Sequence, residues 1–599
     1  MLLSVLALGL LGGSGGRKTL QGCLKRVREW LEETHSAAFE LRRHFFLRFF
    51  DSDLVSTPGQ WQVVAGGVLA ILLSLSLIYI QAYYHKYAAL NTLSTPEPLQ
   101  RSLLADILFL ITLAMSLIGL FTTLQWPQLF PGLRDYLALG SLPVRVREIF
   151  IAKFSALLAF AGLFIVATTF LPSLILPMVV AGRWKQDAFG QVPAIFVSSS
   201  LAALFVFFSL IALQGVLLNV TPIRHFTRIS LTVQAALLTV LLCGLPLVFS
   251  IANLQSSMNQ RPEWIVWVPP AWYLGLDQVM VGNLEPLAVK LAWRGLAGLA
   301  AAACAALITY LWSYRRHRVR MLESPVMAPT TKRRDWLAGL VDWLIPDPRE
   351  LAVFAFVAKT LVRSRQHRLV LTAFAAIAVA VIFESFVSLA LSRGFRGFSV
   401  PTPALRQAAV SAPLALSLFV LAGFRYLFRL PVELLANWVF RVNEPGNRMV
   451  FLEAVERFLL YCAVAPVALI ALPVEVGLLG LRAGFTVTVL CLLPSLTLMD
   501  LLLIQFEKVP FTSSYLPGRR PVIQTLLIYA ASLALYVSVL GEVITLCLRK
   551  PGTTLGIFGV MLAVWFKVRS GRLENWKIGK LEFEELPEPV VQTLSILRD

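Results

Sequence analysis

Histidines, cysteines and carboxylates are the residues that could carry chemistry in this chain, and their spacing excludes most of it. The six histidines, His35, His44, His85, His225, His317 and His367, are followed by Ser, Phe, Lys, Phe, Arg and Arg, so no HExxH zinc-hydrolase motif exists. They fall mostly in basic segments and read as solvated surface. No GxSxG nucleophile turn occurs. Asp51 and Asp53 form a D-x-D pair at the end of an amphipathic stretch, where a helix-ending polar cluster is a simpler reading than a metal site. Cys23, Cys243, Cys304, Cys462, Cys491 and Cys547 make no CxxC pair, and most lie in apolar runs, where they behave as small apolar residues. The string GGSGGRKT at 12–19 approaches a phosphate-binding loop, but Arg17 stands where glycine is required and no strand precedes it. The chain is therefore expected to bind no nucleotide, metal or other cofactor of its own. What remains is acids inside apolar runs, which would mark a proton or ion path and cost roughly 2.5–3.5 kcal/mol each at a membrane centre. Glu384 is the deepest, while Asp106, Glu475 and Glu542 are expected to snorkel from outer ends and Asp500 sits near an inner end.

The elements that must position these residues are membrane helices. Of 599 residues 57% are hydrophobic and only 15% charged, more apolar surface than a soluble domain can hide. A span needs roughly 20 apolar residues. Twelve are predicted, at 62–84, 103–125, 150–180, 191–219, 229–252, 289–312, 369–391, 409–428, 458–478, 484–506, 523–547 and 553–568, the last being short. The fold class expected is an all-α polytopic membrane protein of about twelve transmembrane helices in two pseudo-symmetric six-helix halves. The net charge of +19 suggests nucleic acid at first sight. Its distribution argues against that, because with the N-terminus inside roughly three quarters of the 53 Lys and Arg residues fall on the inner side. This positive-inside bias puts both termini in the cytoplasm, and the basic charge then serves topology and contact with anionic membrane lipid, with no nucleic-acid partner. Residues 2–11 form a run too short to span and lack the flanks of a signal peptide, so an interfacial anchor or a mis-assigned start is preferred.

The domain plan is a cytoplasmic or interfacial region at 1–60, a first six-span half at 61–312, a cytoplasmic linker with an interfacial helix at 313–368, a second half at 369–568 and a cytoplasmic tail at 569–599. In the tail, apolar and polar residues alternate around Pro587, as in a small hairpin. Duplication is supported by prolines in step: Pro131 with Pro431, Pro143 with Pro445 and Pro172 with Pro473, offset by 300 to 302 residues. Each half also opens on an amphipathic stretch of the kind that lies in a membrane interface. In the first, Leu41, Phe45, Phe46, Phe49 and Phe50 face one way; in the second, Phe354, Val357 and Leu361 recur at helical spacing.

Segments 129–149 and 430–457 are short, helix-compatible and bounded by prolines. The string DYLALGSLPVRVREIFIAK at 135–153 resembles the loop after the second span in permeases of the type-two ABC exporter class, with Leu137, Leu142, Pro143, Val144, Glu148, Ile149 and Lys153 matching and Arg145 replacing the commoner Ser or Thr. The outer string VWVPPAWYLGLDQVMVGN at 266–283 resembles the segment before the sixth span of such permeases through Pro269, Pro270, Trp272 and Gly275. The second half departs from the pattern, with RVNEPGNRM where the Leu-Pro signature would stand.

The resemblance implies the permease subunit of an ATP-driven exporter in a bacterial plasma (inner) membrane, itself not an enzyme. Its partners would be two copies of a separate ABC ATPase subunit, which carry the ATP and Mg. By the same resemblance Arg134, Asp135, Leu137, Leu142, Pro143, Glu148 and Lys153 would dock the ATPase, and Pro269, Pro270 and Trp272 would form an outer gate. The aromatic group Trp264, Trp267, Trp272 and Tyr273 reads equally as an interfacial belt. Glu384 would face a cavity between the halves. The alternative is a secondary, ion-coupled transporter, which should show more deep carboxylates than one. A membrane enzyme or scaffold is disfavoured by the lack of a polar catalytic cluster.

Overall fold

The computed structural model describes residues 39–47, 83–130 (93, 94 and 96 apart), 146–181, 188–258, 264–323, 344–428 (394–401 apart), 430, 437–442, 449–512 (505 and 507 apart), 531 and 534–578. These are helical almost throughout and hold no strand. In chain order the helices are α1 (39–47) and α2 (83–90); α3 (Glu97–Leu124), α4 (Val146–Val180), α5 (Ala188–Val220), α6 (Ile223–Met258), α7 (Pro269–Met280), α8 (Pro286–Glu323), α9 (Pro348–Arg363), α10 (Arg365–Arg393), α11 (Pro403–Leu427), α12 (Asn437–Val442), α13 (Met449–Leu459), α14 (Ala465–Leu479), α15 (Leu481–Leu503), α16 (Leu540–Arg549) and α17 (Thr554–Ile578). A π-helical turn, Leu460–Val464, joins α13 to α14, and another, Ala534–Val539, leads into α16.

Among the described residues nine helices are long and apolar enough to cross a membrane: α3, α4, α5, α8, α10, α11, the α13–α14 run, α15 and α17. The protein is thus all-α and polytopic. The predicted span 229–252 lies within α6, whose apolar part Arg228–Gly244 is shorter. The predicted span 62–84, its last two residues apart, and the first part of 523–547 lie outside the described residues, as does the hairpin expected in the tail. The short twelfth run differs from expectation: α17 continues without a break to Ile578, so the first ten residues assigned to the tail are helix.

Helix starts follow from local chemistry. Asp347 caps α9, its carboxylate accepting from the Arg349 N–H, with Pro348 in the first turn; Thr402 caps α11 through the Leu405 N–H, with Pro403 following. Pro172, Pro177, Pro193, Pro413, Pro473 and Pro494 lie inside helices. Spanning helices tolerate them because neighbouring hydroxyls re-satisfy freed backbone groups. Around Pro172, Thr169 donates to the Ile165 carbonyl and Ser173 to that of Phe170.

The chain divides into two compact units, one of Met1–Ser230 with Gln255–Val326 and the other of Leu231–Leu254 with Met327–Asp599. The sequence boundary had put all of 229–252 in the first half. A hydrogen bond from Arg365 to Gln234, 3.4 Å, is one of the ties that place the middle of α6 in the second unit. In the first unit α5 is the hub, packed on α3, α4, α7 and α8. Its inner end is closed by Trp126, fully buried, which donates to the Ser230 hydroxyl (2.9 Å) while its carbonyl accepts from Gln214 (2.8 Å). In the second unit α11 packs on α10, α14 and α15, and α9 lies on α13. Its core is rich in aromatic contacts, among them Phe354 and Phe424 against Phe458.

Candidate functional site

The short helix α7 carries the densest set of sequence-predicted residues. Pro269 and Pro270 occupy its first turn, where the N–H they lack would have no helical partner anyway. The preceding carbonyl of Val266 accepts from both the Trp272 indole and the Arg294 guanidinium, each at 2.9 Å. Trp272 also meets the edge of Phe205, with centroids 5.9 Å apart. Behind it Tyr273, fully buried, donates to the Gly295 carbonyl (3.2 Å). Gly275 lets α7 lie directly on α8, since a Cβ there would stand 2.5 Å from that of Leu291 and 2.8 Å from the Ala288 carbonyl oxygen. The structure thus brings Pro269, Pro270 and Trp272 together as one end of a tight α7–α8 hairpin on α5. Of the aromatic belt, Trp267 is exposed and Arg294 lies over its ring, whereas Tyr273 is core.

Asp277, on the same helix, was not singled out from sequence. It is 2% exposed, and its Oδ1 has no hydrogen-bond partner. Burial pushes its carboxyl up to about 7, and a hydrogen bond from Ser198 of α5 offsets only part of that. The signal available in the sequence was an acid two residues past the Gly275 contact, on a short helix whose other inward positions are Ala271, Tyr273 and Leu276.

Of the predicted docking residues, Arg134, Asp135, Leu137, Leu142 and Pro143 lie outside the described residues. Glu148 is exposed in the first turn of α4. Lys153 is 4% exposed, with its ammonium 5.1 Å above the Phe45 ring of α1. Its surface is covered from within the chain, so it ties the interfacial helix to α4. Leu41 and Phe45 are buried while Arg42, Arg43 and His44 are exposed, as the amphipathic pattern requires.

The membrane acids differ from expectation. Glu384 is half-buried on α10, and Glu542 is exposed and accepts from Gln407 at 3.1 Å. Asp106 and Glu475 do not snorkel. Asp106 is buried because α2 turns Lys86 (2.7 Å) and the Tyr87 hydroxyl (2.6 Å) onto it. Glu475 is 1% exposed; the α14–α15 hairpin turns at Gly480, φ 88°, and brings the Thr488 hydroxyl to within 2.5 Å of Oε2. Its Oε1 has no hydrogen-bond partner, and it forms no ion pair among the described residues. Beyond it, a cavity of about 520 Å³ between α15, α16 and α17 is walled by apolar groups such as Pro494, Leu498, Leu540 and Ile557, a lining suited to hydrocarbon.

A charged lattice in the second unit was also missed. Arg572, fully buried, donates to Glu456 (2.7 Å), lies 3.3 Å from Asp500 and stacks on Trp576. Arg569 adds a second contact to Glu456 (3.1 Å), and Arg457 pairs with Glu350 of α9 (2.6 Å). Burial pushes the Glu350 carboxyl up, and the Arg457 charge opposes that shift. No group of three or more His, Cys, Asp or Glu side chains able to hold a metal occurs among the described residues. Compared with known proteins, the chain matches no protein-family model, no curated protein and no solved structure.

Proposed function

We propose that this chain is the membrane subunit of an exporter driven by separate ATPase subunits, with two six-span halves, both termini cytoplasmic and a bacterial inner membrane as its location. ATP and Mg belong to the ATPase, in two copies. The observation that carries the reading is the string at 135–153, whose likeness to the ATPase-docking loop of type-two ABC permeases runs straight into α4. Two features support it. Glu148 is exposed at the start of α4, and α1 is clamped to the same helix by Lys153, so force applied to the loop would reach the span through a braced joint. The rigid α7–α8 hairpin at the other end of that unit suits an outer closure. The test is purification of the tagged full chain with its ATPase and measurement of ATP hydrolysis. Leu142→Asp and Pro143→Ala are expected to abolish or sharply weaken both association and transport-coupled hydrolysis. Retention of both by both variants would refute the docking assignment.

A second reading, an ion-coupled secondary transporter, is favoured by Glu475, a buried acid with no ion pair among the described residues. Under it, Glu475→Gln abolishes uptake driven by an imposed proton gradient in proteoliposomes. Under the first reading, transport needs the ATPase and nucleotide, and the same substitution leaves that requirement intact.

A further inference from the structure

The inner end of α10 gathers positive charge without a counter-charge. Arg365 and Arg368 stand three residues apart at the start of the helix, on one face. Their guanidiniums repel each other. Both side chains are half-buried, and the Nε atom of each is buried with no hydrogen-bond partner. Arg365 reaches the Gln234 amide oxygen at 3.4 Å, a neutral contact, and neither arginine has an ion pair among the described residues. The first turn of α10 contains no acid, so the positive end of the helix dipole adds to the same field. The residues between and beside them are already committed. Ser364 caps α10 through the His367 N–H (3.4 Å) and holds the His367 ring (2.7 Å), whose other nitrogen faces the Leu430 carbonyl (3.4 Å). The last turn of α9 brings a further cation, Arg363, rather than an acid.

We propose that Arg365 and Arg368 form a binding site for a phosphate-bearing anion at the inner membrane face. Each guanidinium is half-buried and keeps a buried Nε with no acceptor among the described residues, so an anion placed there supplies an interaction the protein does not. A phosphate oxyanion matches the planar N–H fork of arginine bidentately and is the ligand a helix N-terminus accepts most readily. Gln234 holds Arg365 from the side of α6, leaving its other donors for the ligand. The site lies where the α10 apolar run begins, at headgroup level by the positive-inside reading. Phosphate can come from an anionic lipid of the inner leaflet or from a soluble phosphate compound, and the chemistry is the same.

The experiment is native mass spectrometry of the full chain in detergent, titrated with phosphatidylglycerol or phosphatidylcholine, each with and without added inorganic phosphate. The wild type is expected to retain about one phosphatidylglycerol in preference to phosphatidylcholine, and removing each arginine (Arg365→Gln, Arg368→Gln) to weaken retention about tenfold. Arg365→Lys/Arg368→Lys keeps the charge without the fork, so it falls between wild type and the double glutamine variant. Arg482→Gln, an exposed arginine beside the α14–α15 turn, leaves retention unchanged and controls for loss of surface charge. Displacement of the lipid by inorganic phosphate supports the site with a soluble occupant, and resistance to it supports the site with a headgroup. Equal retention by the double glutamine variant and wild type overturns the proposal, as does equal retention of both lipids by the wild type when inorganic phosphate changes neither.

Discussion

A carboxyl that is 2% exposed, with one oxygen lacking a partner, ionises only at a cost, and Asp277 on α7 is such a group. Because burial raises its folded value to about 7, the folded state holds the proton more tightly than the unfolded chain does. The associated stabilisation is therefore complete below the ordinary carboxylate range and is lost as pH rises through about 7. The α7–α8 hairpin should lose stability as pH rises from the ordinary carboxylate range to about 7, seen as a thermal midpoint that falls over that window and levels off above it. Asp277→Asn should flatten this dependence, and an unchanged slope in that variant would assign the titration elsewhere. Single residues were the least legible level of the sequence. An acid near the end of an apolar run reads as a snorkelling group, yet Asp106 and Glu475 are both buried. Their partners, Lys86 and Thr488, sit across a turn, and hydropathy along the chain does not record what a turn brings back.

Elements were more legible in their extent than in their pairing. The runs predicted at 103–125, 150–180, 191–219, 289–312, 369–391 and 409–428 all lie within or across single helices, because length and apolarity are properties of the segment itself. The junction of α9, α13 and α17 was not, because Glu456 and Arg572 are 116 residues apart and each alone resembles a wet cytoplasmic charge. That junction is held by burial of like and unlike charges together, so its parts are worth little singly. Arg572→Met should cost about 3–5 kcal/mol by stranding Asp500 beside Glu456. Arg572→Met/Asp500→Asn should recover much of this, since the stranded charge is removed while Arg569 still pairs with Glu456. Unfolding of the full chain in detergent reads both, and a double variant no more stable than the single one would show that the Arg572–Trp576 stack, not the charge, is what matters.

At the scale of the whole molecule, composition alone announced a helical membrane protein, since no packing is needed to see that 57% hydrophobic residues must meet lipid. The division into two units was less legible: the proline offsets led to an expected repeat, but they carry no information on which unit the middle of α6 joins. The run Met449–Leu479 crosses the second unit from the Arg572 lattice to the hairpin at Gly480, and its π turn at Leu460–Val464 has an angular effect on that scale. In a regular helix Glu456 and Glu475 would project about 100° apart. One additional residue accommodated by the wider turn cancels that angle, and both acids end up toward α15, one near Asp500 and the other on Thr488. A single deletion within 460–464 would remove the extra residue together with the wider turn and keep both acids toward α15, whereas tightening the turn at the present residue count would swing one carboxylate out among acyl chains, so here residue count, rather than residue identity, decides whether an acid meets protein or oil.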